Sequence, residues 1–130
     1  MLHHIEIYVS DLDKSARFWT PLVKHLGYEA DPWSGGMNYV KSGHAYFCFL
    51  PAPAEHLAAG YHRKRVGLNH LAFQATSRAL VDDIAAWVKS NGFSSLYDEQ
   101  YPYAGGPNNY AFYCEDPDRI KVEVVAPAQV

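Results

Sequence analysis

The chain has 130 residues, 48% of them hydrophobic, 15% aromatic and 19% charged. That is one ordinary domain's worth of protein with too much apolar material for a disordered or fibrous chain. A net charge of −3 provides no positive field for a phosphate backbone, so no nucleic-acid partner is expected. The longest apolar stretch, Ala45 to Leu50, stops at Pro51, far short of the roughly 20 residues that span a bilayer. No membrane partner is expected either.

In chain order, the N-terminus runs straight into alternating pattern without a basic start or an apolar signal core, which makes a cytoplasmic location the expectation. His4 to Val9 alternates with period two, placing Ile5, Ile7 and Val9 on one face and His4, Glu6 and Tyr8 on the other. Leu12, Ala16, Trp19, Val23 and Leu26 then recur at helical spacing behind the candidate N-cap Asp11. Gly27 stops this helix, and Pro21 is expected to break or kink it near Thr20. Aromatic and β-branched runs at Met37 to Lys41 and Ala45 to Leu50 read as strands.

The pattern then starts again. His70 to Ala75 reads as a strand, with Leu71 and Phe73 opposite His70, Ala72 and Gln74. A helix follows Ser77 through Leu80, Ile84, Trp87 and Val88 to Gly92, and strands follow at Ser94 to Asp98, Tyr110 to Cys114 and Ile120 to Val125. Ala52-Pro53-Ala54 and Ala126-Pro127-Ala128 close the two copies. The fold class is therefore α+β, two tandem βαβββ modules of about residues 1–60 and 66–130 forming a curved mixed sheet around a cleft in a single domain.

Glu123 interrupts the apolar run of the last strand, and a carboxylate there is costly to bury unless it is paired or coordinates a metal. The strand-opening histidines His4 and His70 are its natural partners, since equivalent positions of two similar modules meet across a pseudo-symmetry axis. Cys48 and Cys114 lie inside aromatic strand-like runs and read as reduced, buried thiols. His3, which falls on the other strand face from His4, and His25, His44, His56 and His62 read as structural or surface residues.

This order of pieces resembles the vicinal oxygen chelate superfamily, which holds glyoxalase I, extradiol dioxygenases, fosfomycin-resistance transferases and bleomycin-resistance proteins. The carriers are Leu2-His3-His4-Ile5-Glu6-Ile7-Tyr8-Val9-Ser10-Asp11-Leu12, Gly67-Leu68-Asn69-His70-Leu71-Ala72-Phe73 and Glu115-Asp116-Pro117-Asp118-Arg119-Ile120-Lys121-Val122-Glu123. The resemblance implies one divalent metal ion, with possible ligands on the first and last strand of each module. His4, His70 and Glu123 match three of those positions. The fourth, aligned on the Ala-Pro-Ala ends, falls on Phe49, which cannot coordinate, so the pattern departs from glyoxalase I. Two imidazoles and a carboxylate suit Fe, Mn, Ni, Co or Zn and leave open positions for a substrate with adjacent oxygens.

Glu6 and Gln74 share the strand faces of the histidines and, with Tyr103, are candidates for acid/base work or substrate contact. The expected function is a divalent-metal-dependent lyase, isomerase or dioxygenase acting on a small molecule, working as a homodimer by family resemblance. The alternative is a metal-free binding protein of bleomycin-resistance type that sequesters a small aromatic or hydrophobic ligand. His62-Arg63-Lys64-Arg65, the basic cluster between the modules, reads as a solvated connector or, if it faces the cleft, as an attractor for a carboxylate or phosphate.

Overall fold

The computed structural model describes residues 1–129. They form two compact units, Met1–Gly60 and Tyr61–Val130 in the chain's numbering. Each unit is one βαβββ module with its own four-stranded mixed sheet.

In the first unit β1 (His4–Val9), α1 (Leu12–His25), β2 (Glu29–Trp33), β3 (Gly36–Val40) and β4 (Tyr46–Pro51) assemble in the order β1-β4-β3-β2. β1 runs parallel to β4, with Glu6 opposite Cys48, and the other pairs are antiparallel. A short 3-10 helix, Ala54–Ala59, follows. In the second unit β5 (Leu71–Gln74), α2 (Arg78–Ser90), β6 (Ser94–Leu96), β7 (Ala111–Glu115) and β8 (Lys121–Val125) repeat the arrangement as β5-β8-β7-β6. β5 runs parallel to β8, with Ala72 opposite Glu123.

The helices form where caps and apolar stripes coincide. Asp11 accepts a hydrogen bond from the Lys14 amide at 3.0 Å, and Ser77 accepts one from the Leu80 amide at 3.1 Å, each satisfying one orphan donor of a first turn. α1 buries Phe18, Trp19, Leu22 and Val23 against its sheet, and α2 buries Val81, Ile84, Ala85 and Val88 against the other. Trp19 stacks obliquely on Phe49 at 4.9 Å between ring centres, and the Tyr39 hydroxyl lies 2.7 Å from that of Thr20.

One expectation is corrected, and two features go beyond the sequence reading. α1 is not broken at Pro21 but continues to His25, because fully buried side chains stand on both sides of the proline and their burial exceeds the roughly 3 kcal/mol cost of the lost bond and clash. β2, unread in the sequence, is an exposed strand at the end of its sheet, built from Glu29, Ala30, Asp31, Pro32 and Trp33. The long segment before β7 is fastened to α2: the Tyr101 and Tyr110 hydroxyls both donate to Asp82 Oδ1, and Arg78 lies over the Tyr110 ring at 4.7 Å.

Candidate metal and substrate site

The outward face of the second sheet gathers its polar groups around Glu123. Alternation on β8 turns Val122 and Val124 into the core and Glu123 to the other face, where it is only 8% exposed. Its Oε1 accepts from Asn109 Nδ2 at 3.0 Å, and its Oε2 lies 3.1 Å from His70 Nε2. Tyr113, opposite Glu123 on β7, completes the cluster, with its hydroxyl 3.5 Å from Asn109 Nδ2. Burial first, then the charge and hydrogen bond of Glu123, push the Tyr113 phenol up to about 12, so it keeps its proton. Gly105 is required beside this cluster: a Cβ there would meet Asn109 Nδ2 at 2.4 Å and the Tyr113 hydroxyl at 2.6 Å.

The orientation of His70 decides what the pair can do. Its Nδ1 faces Asn69 Oδ1 at 2.7 Å, a contact that needs the ring proton on Nδ1. With a single ring proton, Nε2 carries the lone pair and points at a carboxylate oxygen; a second ring proton would make the same contact an ion pair. Two acceptors 3.1 Å apart repel unless a proton or a cation stands between them. The donor set, one imidazole nitrogen with its second nitrogen held and one carboxylate oxygen, has the chemistry and outer support of a divalent-metal site.

In the first unit, His4 stacks on Tyr46 at 4.7 Å between ring centres, and its Nε2 lies 4.0 Å from Glu6 Oε1. Its Nδ1 lies 2.8 Å from that of His3, so His3 is a neighbour of His4 despite the opposite strand faces expected for them. Among the described residues no three His, Cys, Asp or Glu side chains form one metal-holding group. His70 and Glu123 are brought together, whereas His4 and Glu6 make their contacts within the first unit. Gln74 is exposed at the far end of β5, opposite Val125, and Tyr103 stands in the loop before β7 against Tyr110.

The strand register also corrects the fourth position. His4 and Glu6 correspond to His70 and Ala72; since Ala72 pairs with Glu123 and Glu6 pairs with Cys48, the counterpart of Glu123 is Cys48. Phe49 is instead the counterpart of Val124, and both are fully buried in the cores. It is therefore not a cleft-lining residue. Burial, and then the nearby Glu6 charge, push the Cys48 thiol up, with a hydrogen bond to the Trp33 side chain acting in the other direction.

Residues 1–124 match the family model of the Glyoxalase/Bleomycin resistance protein/Dioxygenase superfamily. The chain belongs to that superfamily. Over 128 residues it is 49% identical to YqjT of Bacillus subtilis (strain 168), covering 98% of this chain and 99% of that protein. The crystal structure of a candidate glyoxalase from Bacillus halodurans superposes with a TM-score of 0.93 at 50% identity, covering 98% of this chain and 96% of that one. The fosfomycin resistance protein FosX of Listeria monocytogenes shares the fold at 22% identity, with a TM-score of 0.69 over 98% of this chain and 92% of its own. The superfamily fold of paired βαβββ modules is thus what sets His70, Glu123, His4 and Glu6 on outward strand faces. Asn69, Asn109 and Tyr113, not singled out in the sequence, are the residues that hold the pair. Asn69 could have been noticed beside His70, but Asn109 and Tyr113 lie 14 and 10 positions from Glu123 and only the β7–β8 register brings them near it.

Among the described residues no helix is long and apolar enough to cross a membrane.

Proposed function

We propose that this superfamily member is a divalent-metal-dependent enzyme acting on a small molecule with adjacent oxygens, and that His4, His70 and Glu123 hold the ion. The observation that carries this reading is the facing of His70 Nε2 and Glu123 Oε2 at 3.1 Å, with His70 Nδ1 already committed to Asn69. A bound ion of the Fe, Mn, Ni, Co or Zn class would supply Lewis-acid stabilisation to an enolate or catecholate.

The side chains divide the remaining work. Asn69 fixes the tautomer of His70, and Asn109 holds one oxygen of Glu123 so that the other is presented toward His70. The Tyr113 phenol, held neutral, donates a hydrogen bond and moves no proton at neutral pH. Glu6, with a side chain 61% exposed, is the carboxylate available for proton transfer. Gln74 and Tyr103 are the proposed substrate contacts. A homodimer belongs to the same proposal, and sedimentation of the purified chain tests it.

A second reading, a metal-free binder of a small aromatic or hydrophobic ligand, is favoured by one feature of the first unit: Tyr8 and Trp33 are 64% and 48% exposed. Metal content per chain, measured by elemental analysis after reconstitution and desalting, separates the two. The expected result is one ion in the wild type and none in Glu123→Ala. No retained ion in the wild type would overturn the enzyme reading in favour of the binder.

A further inference from the structure

A second cluster with different chemistry lies where the connector before β5 meets the β7–β8 turn. Tyr61, His62, Arg63, Lys64 and Arg119 line a hollow of about 170 Å³ within the second unit, room for several waters at about 30 Å³ each. Tyr61 anchors its floor by donating from its hydroxyl to the Leu68 carbonyl at 2.6 Å. Arg63 Nη1 donates to Glu115 Oε2 at 2.8 Å and to the Arg119 carbonyl at 3.3 Å, fixing the connector onto the β7–β8 turn. Arg119 Nε lies 3.6 Å from the same Glu115 oxygen.

The charges of this hollow do not balance. One carboxylate, Glu115, faces two guanidinium groups, and Lys64 brings a third cation to the lining. The Asp116 carboxylate accepts from the Asp118 and Ile120 amides in its own turn, and its charge also reaches the Tyr61 phenol of the hollow. His62 adds a donor: its Nδ1 accepts from the Lys64 amide at 3.1 Å, which places the ring proton on Nε2. The bonds of Arg63 use Nη1, one corner of a fork with five N–H donors.

Arg119 also occupies its place at a cost. Its φ of 67° is left-handed, a conformation that favours glycine and is uncommon for a long side chain. The strain holds a guanidinium, 68% exposed, at the rim of a hollow already rich in cations. Strained non-glycine positions cluster where a ligand is clamped.

We propose that this hollow is an anion site for a phosphate-type oxyanion, held by the Arg63 and Arg119 guanidinium groups, the Lys64 ammonium and the His62 Nε2–H. The three cationic side chains exceed the Glu115 and Asp116 carboxylates by one positive charge, which suits an oxyanion, and guanidinium forks match phosphate oxygens in geometry. The site is independent of the metal proposal.

The experiment is titration of the full chain with inorganic phosphate, followed by amide NMR shifts and calorimetry at low and at 0.5 M sodium chloride, beside Lys64→Ala, Arg119→Gly and Glu123→Gln. Saturable shifts centred on residues 61–64 and 119 are expected, weakened about tenfold or more in Lys64→Ala and Arg119→Gly and by the salt, and unchanged in Glu123→Gln. Arg119→Gly relieves the left-handed strain, so its thermal midpoint is expected not to fall, which separates lost binding from lost folding. Three outcomes would each overturn the proposal: no saturable shift, shifts abolished by Glu123→Gln but not by Arg119→Gly, or acetate binding as tightly as phosphate. The second would show that anion binding depends on Glu123 and not on the hollow.

Discussion

Glu123→Gln distinguishes a metal-holding pair from an ordinary ion pair, because the two states of the protein should respond with opposite signs. In the metal-free chain the glutamine carbonyl can still accept from Asn109 Nδ2, now at 3.0 Å from Glu123 Oε1, while its amide nitrogen replaces Oε2 and can donate to the His70 Nε2 lone pair across the 3.1 Å gap. A repulsive acceptor pair becomes a hydrogen bond, worth about 1 kcal/mol at a site this buried. At roughly 2.1 cal/mol/K of unfolding entropy per residue, a chain of this length moves about 4 °C in Tm per kcal/mol, so a rise of about 4 °C is expected in chelator. With an ion present at about 1,000 times Kd, the wild type gains about 4 kcal/mol, or about 15 °C, by mass action, and the variant gains almost none of it. Differential scanning calorimetry of both proteins, in chelator and in excess Zn, Ni or Mn, reads all four midpoints. The reasoning is refuted if Glu123→Gln lowers Tm in chelator by several degrees, since the contact would then be a stabilising proton-bridged pair. It is refuted equally if the variant keeps the metal-induced rise.

Two further outcomes follow from the packing. Burial raises the phenols of Tyr28, Tyr39 and Tyr61, with a smaller opposing effect of the Thr20 hydrogen bond at Tyr39. The folded chain therefore keeps protons that the unfolded chain releases above about pH 10, and stability must fall as pH rises through that value, by up to about 1.4 kcal/mol per pH unit for each such phenol; denaturant midpoints at pH 9, 10 and 11 should show it, with a shallower slope in Tyr39→Phe. A Cβ at Gly36 would stand 2.4 Å from the Phe49 carbonyl oxygen, so Gly36→Ala should force β3 from β4 and lower Tm by roughly 10 °C, equivalent to about 3 kcal/mol. An unchanged midpoint would show that the β3–β4 edge yields without cost.

Periodicity made the helices and the inner strands legible, because Phe18, Trp19, Leu22 and Val23 on α1 and Val122 and Val124 on β8 are apolar at the spacing that burial demands. β2 escaped notice because it is exposed throughout, carries Asp31 and Pro32, and pairs on one side only; nothing about its burial imposes alternation. The placement of the fourth site position on Phe49 failed for a sharper reason. The two Ala-Pro-Ala tripeptides are out of phase by one residue: β1 pairs through Val9 with Pro51, whereas β5 and β8 stop at Gln74 and Val125. A slip of one residue turns a strand's whole set of side chains to the other face, so it exchanged the outward Cys48 for the core Phe49.

The corrected register shows how one backbone plan hosts two different carboxylates. In each module, the residue two positions beyond the opening histidine faces a last-strand partner: Glu6 faces Cys48, and Ala72 faces Glu123. Each row therefore holds one carboxylate, but on opposite strands of the pair. β1 ends its sheet, so Glu6 has a strand neighbour on one side only and its side chain stays 61% exposed. β8 lies between β5 and β7, so Glu123 meets His70 from one side and Asn109 and Tyr113 from the other, and is confined at 10% side-chain exposure. A group fixed by neighbours on both sides suits holding an ion, since its geometry is prepared before binding. A solvated carboxylate on an end strand suits exchanging protons, since it can turn between substrate and water. In the proposed function, moving the acid across one strand pair separates these roles.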